Sequence, residues 1–174
     1  VREGSYLRGV VKEYELQKNI GRGRIFRVEH QSSKKFHTTY ETSNRALIKK
    51  VDAYLIASLK EKVAELFHDL TFVSAGFLVK EPGDQSESPL HQDASFVDEP
   101  NELTVSVWIP LQDCNEKNSC LQFVPHSHKV FNAIRYIPYS NGHVEEHKEQ
   151  LEPLLTSHTI KVGEAFVFYN STVH

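Results

Sequence analysis

Between residues 43 and 67, Leu47, Val51, Leu55, Leu59, Val63 and Leu66 recur at spacings of three and four. That period lays one apolar stripe along a helix, which Thr42 or Ser43 is placed to cap. The stripe is read as packing on a sheet, with no catalytic role. After residue 70 the period changes to two. Thr71–Val79 is rich in β-forming residues and stops at the turn signal Glu81-Pro82-Gly83. Leu103–Leu111 alternates, with Val105, Val107 and Ile109 on one face and Thr104, Ser106 and Trp108 on the other. Asp113–Ser119 is a polar turn, and Cys120–Val124 is a short strand closed by Pro125. Thr159–Val162 and Ala165–Tyr169 form two more strands around Gly163-Glu164. Phe166 and Phe168 share a face of the last one and are read as core.

Two stretches are less regular. Residues 1–40 hold short apolar runs at Val10-Val11 and Ile25-Phe26, read as strands. Gly21 and Gly23 are read as a turn, because a nucleotide loop needs a third glycine and flanking strand and helix. Residues 130–158 are polar and rich in Glu and His, and are expected to form a long insertion or lid. Glu145, Glu146, His147 and Glu149 are read there as solvated side chains. With no repeat, linker or low-complexity tract, the chain is read as one domain. Several short strands behind a packing helix predict a mainly β fold with packing helices, a double-sheet jelly roll.

Composition narrows the function. The 174 residues carry a net charge of −3 with an isoelectric point near 6.4, which argues against nucleic-acid binding. No apolar stretch approaches the roughly 20 residues that span a bilayer, and no leader peptide is seen. Two cysteines, Cys114 and Cys120, make no disulfide framework and are expected to be free thiols in a reducing cytosol. The first residue is Val, so the chain is expected to be a piece of a longer one.

Candidate chemistry centres on Pro89-Leu-His91-Gln-Asp93. An imidazole and a carboxylate two residues apart on a strand share a face and reach one ion. A second histidine from a distant strand completes two His and one carboxylate, which fill one face of an octahedral ion and leave three positions open. Ten histidines and 23 acidic residues make about one such pair expected by chance, and His143-Val-Glu145 and His147-Lys-Glu149 share the spacing. Context selects His91: it follows a turn after a strand and precedes the alternating strand.

His91-Gln-Asp93, Val105-Ser-Val-Trp-Ile-Pro-Leu-Gln-Asp113 and Asn118-Ser-Cys-Leu-Gln-Phe-Val-Pro-His-Ser-His-Lys129 occur in this order. Together they resemble the phytanoyl-CoA dioxygenase family of iron(II)/2-oxoglutarate oxygenases, clearly from about residue 72 to 174. The resemblance implies a double-stranded β-helix (jelly-roll, cupin-like) core over about 71–174, supported by helix and strand over about 1–70, as a single oxygenase domain across 1–174. It implies His91, Asp93 and His174 as iron ligands, with His174 after the strand Val162-Gly-Glu-Ala-Phe-Val-Phe-Tyr169. Thr104, Ser106 and Trp108 would face the barrel and are the candidate contacts for 2-oxoglutarate. Fe(II), 2-oxoglutarate and O2 would hydroxylate a C–H bond of a small organic substrate, releasing succinate and CO2. A carboxylate ligand argues for hydroxylation, since related halogenases lack it.

Two departures stand out. His126 replaces the Gly of the family's Pro-Gly-Ser-His, which points to a different turn geometry or to a side chain offered to the pocket, and His128 is read as structural rather than a ligand. The sequence stops at His174, before the place of the Arg that in the family pairs with the far carboxylate of 2-oxoglutarate, and the chain is expected to be truncated there. Lys80, Lys129 and Arg135 are the substitutes considered. The alternatives are a catalytically silent jelly-roll metal-binding protein and a cupin-type metalloenzyme that does not use 2-oxoglutarate.

Overall fold

The computed structural model describes residues 36–39, 44–82, 86–131, 133–135 and 142–174. The strands read at Val10-Val11 and Ile25-Phe26, the Gly21/Gly23 turn and the caps Thr42 and Ser43 lie outside the described residues. The described chain falls into two compact units, one within Gly9–Glu87 and one within Ser88–His174.

In the first unit, β1 (Phe36–Thr38) pairs antiparallel with β2 (Leu78–Lys80), Thr38 facing Leu78. Thr39 extends the pairing by donating its N–H to the Phe77 carbonyl and accepting the Phe77 N–H on Oγ1, both at 3.1 Å. The helix α1 runs Arg45–Leu66, as the apolar stripe predicts. Its cap is Asn44, whose side-chain oxygen accepts the Leu47 N–H at 3.0 Å. That bond satisfies a donor that the first helical turn leaves without a partner. Of the stripe, Val51 and Leu55 are buried while Leu66 is exposed. On the same helix, Asp52 accepts the Ala75 N–H at 2.6 Å.

The second unit holds four short strands. In the β3 (Val105–Trp108) and β6 (Phe166–Tyr169) pair, Ser106 opposes Phe168 and Trp108 opposes Phe166. Antiparallel pairing puts these four side chains on one face, and Val105, Val107, Val167 and Tyr169 on the other. β4 (Gln122–Phe123) pairs antiparallel with β5 (Thr156–Ser157). The ladders are shorter than the alternating runs that announce them, but backbone pairing continues beyond the strands: Cys114 bridges Ile160, His158 N–H reaches the Leu121 carbonyl, and Val124 N–H reaches the Val173 carbonyl. Gly163, in the turn before β6, has φ of 100°, a backbone angle that favours glycine.

Two apolar clusters fill this unit. Cys114, Cys120 and Ile160 form one, with Trp108 and Phe166 packed against them. Val124, Val144, Leu151 and Val173 form the other, flanked by Leu90, Phe131 and Leu155. The second cluster corrects the reading of residues 130–158 as an irregular insertion. Two short helices, α2 (Gly142–Glu146) and α3 (Lys148–Leu151), lie within it. Val144 is 1% exposed and Leu151 5%. Glu145, Glu146, His147 and Glu149 remain on the exposed side, as expected of solvated groups. The two apolar residues, one from each helix, are both buried in the same cluster.

Truncating Leu151 to Ala is therefore expected to destabilise the fold by about 2–4 kcal/mol, as for a buried leucine, and Glu149→Ala to shift it by no more than about 0.5 kcal/mol. Urea unfolding of the two variants measures both.

Candidate metal centre

His91 and His174 meet through their backbones first. Each donates its N–H to the other's carbonyl, both at 2.9 Å. This closed pair is the hydrogen-bonded unit of an antiparallel ladder, and it sets the two residues directly opposite one another. Two residues on, the Asp93 N–H donates to the Asn170 carbonyl at 3.0 Å. The ring centroids of His91 and His174 lie 4.4 Å apart.

The histidines are oriented alike. His91 Nδ1 lies 2.8 Å from the Pro89 carbonyl, and His174 Nδ1 lies 2.9 Å from the Thr172 carbonyl. A carbonyl oxygen only accepts, so Nδ1 carries the proton in each ring, and the neutral imidazole keeps its lone pair on Nε2. Such backbone partners fix the tautomer and ring direction of a metal-binding histidine. His174 Nε2 lies 4.0 Å from Asp93 Oδ1. One ligand atom from each of His91, Asp93 and His174 lies within 4.8 Å of the other two. Among the described residues this is the one such group of His, Cys, Asp or Glu side chains. Two neutral nitrogens and one carboxylate oxygen suit a divalent ion of borderline hardness, iron(II) included.

The surroundings are apolar on one side and cross-linked on the other. Phe168 and Phe123 set their rings 4.9 and 6.3 Å from that of His174, whose side chain is only 7% exposed. Gln92, buried between His91 and Asp93 in sequence, donates its amide to the Phe131 carbonyl at 2.8 Å and to the Ser171 carbonyl. The residue before His174 is held too, since Val173 N–H donates to buried Ser127 Oγ at 2.8 Å.

The other residues singled out in the sequence fall around this centre. Ser106 Oγ lies 2.6 Å from Asp93 Oδ2. Thr104 Oγ1 donates to Glu99 Oε1 at 3.2 Å. Trp108, two residues past Ser106 on the same face, packs on Phe166 with centroids 6.2 Å apart. Arg135, considered as a substitute for the Arg that binds 2-oxoglutarate, is held by the protein itself. Its Nε donates to the Asp93 carbonyl at 2.7 Å, its Nη1 to the Ala133 carbonyl at 3.0 Å and its Nη2 to Glu99 at 2.5 Å. Those bonds commit its guanidinium to the protein, so it is no substitute for the Arg expected to bind a distal carboxylate. Lys129 is exposed, and Lys80 ends β2 in the first unit. The only sequence signal for Arg135 was its place as the one Arg of the polar segment 130–158.

His126 precedes the turn Ser127–Lys129, and His128 lies within it. His126 has φ of 64° and ψ of 3°. His126 therefore takes the left-handed backbone that glycine favours. His128 lies outside the metal group and stacks on Tyr169, with centroids 4.7 Å apart and planes at 26°.

The family model described as phytanoyl-CoA dioxygenase (PhyH) matches residues 9–174. The chain is 29% identical over 105 residues to phytanoyl-CoA dioxygenase domain-containing protein 1 of Danio rerio, covering 56% of this chain and 36% of that protein. It is 38% identical over 66 residues to the phytanoyl-CoA dioxygenase of Arabidopsis thaliana, 38% of this chain and 23% of that one. With phytanoyl-CoA dioxygenase 1 of Oryza sativa subsp. japonica it shares 24% over 127 residues, 67% and 44% of the two chains. The matched stretch spans less than half the length of each relative. No solved structure matches the chain closely enough to count as similar.

Two predictions follow from these contacts. Arg135 is 3% exposed and Glu99 18% at the side chain. Replacing Glu99 by Ala leaves a buried charge without its partner, and is expected to destabilise the unit by about 3 kcal/mol in urea unfolding. For His128, burial first, then the charges of Lys129 and His126, lower the pKa from its ordinary value. The unfolded chain therefore takes up this proton before the native state does. The associated stability is fully present above the ordinary value of about 6.5, and is lost as the pH falls below it toward the folded value. His128→Gln is expected to flatten that acid-side slope in denaturant titrations from about pH 7 to about pH 5.

Proposed function

Because the chain belongs to the phytanoyl-CoA dioxygenase family, we propose that it is the metal-binding core of an iron(II)- and 2-oxoglutarate-dependent dioxygenase that hydroxylates a C–H bond of a small organic substrate. The observation that carries this reading is the convergence of His91, Asp93 and His174 on one point, with both imidazoles turned to offer Nε2. The fold proposed around them is the double-stranded β-helix. The antiparallel pairings that link residues 91–93 to 170–174, 105–108 to 166–169, and 122–123 to 156–157 support it. A single oxygenase domain made of both units is part of the same proposal.

Bound iron(II), with 2-oxoglutarate and O2, would supply oxidative decarboxylation and C–H hydroxylation, releasing succinate and CO2. The chain's own contribution is placement and shielding. Three donors on one face leave the opposite face for cosubstrate and O2. The Pro89 and Thr172 carbonyls hold the ring protons away from the metal side. Phe123 and Phe168 limit water on the His174 side, which favours a reactive centre that must not be quenched. A contact with the cosubstrate is proposed for Trp108, half-buried on the face it shares with Ser106. Thr104 and Ser106 are given supporting roles through Glu99 and Asp93.

The test is succinate formation by the full-length protein under air, with Fe(II) and 2-oxoglutarate, beside a His91→Ala, Asp93→Ala double variant. Uncoupled turnover is expected to yield succinate in the wild type and none above background in the variant. Absence of both succinate and Fe(II) binding in the wild type would overturn the reading in favour of a jelly-roll protein without this chemistry.

A further inference from the structure

A carboxylate at the end of a short side chain has a soft last torsion, so nothing in Asp93 itself decides whether one oxygen or both would face a metal. The two oxygens have different surroundings. Oδ1 faces His174 Nε2 at 4.0 Å, while Oδ2 lies 2.6 Å from the Ser106 hydroxyl. A hydroxyl donating to a carboxylate makes a short, charge-assisted bond, stronger than a neutral one. We propose that Ser106 is a positioning residue that makes Asp93 a one-oxygen metal ligand, by holding Oδ2 away from the metal. The inference rests on the metal-site reading above. It matters because a carboxylate that swings to bind through both oxygens takes one of the three open positions.

Ser106 is itself fixed. Its Oγ also lies 3.1 Å from the Asn170 side-chain oxygen as placed. One hydroxyl carries one proton, and the shorter, charged contact takes it. The Asn170 side chain is therefore set beside the Ser106 hydroxyl, and that hydroxyl stands between it and Asp93 Oδ2. Asn170 is 4% exposed, and its backbone carbonyl accepts the Asp93 N–H. The opposite side of Asp93 is closed by Arg135, whose Nε holds the Asp93 carbonyl. Backbone and carboxylate are thus fixed by separate groups, and Ser106 is the one that addresses the ligand oxygens.

Co(II) binding to the full-length protein, followed by titration and by the visible absorption of the bound ion, tests this without turnover. Ser106→Ala is expected to weaken Co(II) binding about 10- to 100-fold, the usual cost of losing a partner of a metal ligand. It is expected to change the absorption bands while leaving the melting temperature of the metal-free protein in place, and Ser106→Thr to restore both affinity and spectrum. Adding Asn170→Ala to Ser106→Ala is expected to cost no further affinity, because Asn170 acts through the hydroxyl. Wild-type affinity and spectrum in Ser106→Ala, with binding lost in Asp93→Ala, would overturn the role of Ser106 and leave the metal site standing. A loss that Ser106→Thr does not restore would overturn it as well. Equal binding by wild type and Asp93→Ala would instead sink the metal-site reading beneath it.

Discussion

The closed pair of backbone hydrogen bonds between His91 and His174 is the constraint on which the centre depends. It joins residues 83 positions apart and fixes their register to a single choice. In an extended chain, side chains alternate between faces, so a slip of one residue would turn His91 and Asp93 away together. It would put Gln92 in their place. The neighbouring bonds show how much of the unit guards against that slip. Asp93 N–H is tied to Asn170, Val173 is held on one side by Val124 and on the other by Ser127, and the Gln92 amide bridges Phe131 and Ser171. Each contact is modest, about 1 kcal/mol net, but each opposes the same displacement.

Polar groups near the ligands are arranged so that none is left without a role. Among the described residues, no buried side-chain nitrogen or oxygen lacks a hydrogen-bond partner. Arg135 and Glu99 are the costly part of that arrangement. An ion pair this deep gives up hydration on both sides, and a pair of apolar side chains would fill the space with less penalty. What an apolar pair would not provide is a donor for the Asp93 carbonyl or an acceptor for Thr104. The pair therefore serves as scaffolding for Asp93, whose segment 91–93 belongs to no regular strand that could hold it by ladder bonds alone.

Much of this was legible in the sequence, unevenly. His91 and Asp93 were legible because a period of two makes a His-x-Asp pair converge whatever the details of the fold. His174 was legible through the resemblance, by its place after the Val162–Tyr169 strand, and no local rule would have chosen it among ten histidines. The long helix and the β3 and β6 strands were legible from their periods. The short helices at 142–151 were not, because two apolar residues in a run of Glu, His and Lys carry too little pattern to be told from a solvated loop. Arg135 was considered as a cosubstrate contact, and its actual partners were not legible for a related reason. A lone Arg in a polar segment looks solvated, and only the fold brings Glu99 within 2.5 Å of it.

At the turn Pro125–Lys129 a histidine stands at positive φ, where a side chain costs roughly 1–2 kcal/mol. Its φ is 64°. What surrounds the turn explains this. Ser127, next in line, is buried and holds Val173, whose carbonyl is bound by Val124 and whose neighbour is His174. Moving the turn would release the residue that seats His174 beside His91. The strain at His126 is smaller than the cost of losing those bonds, so the strain is retained, and an exposed histidine adopts the conformation that the buried serine after it requires.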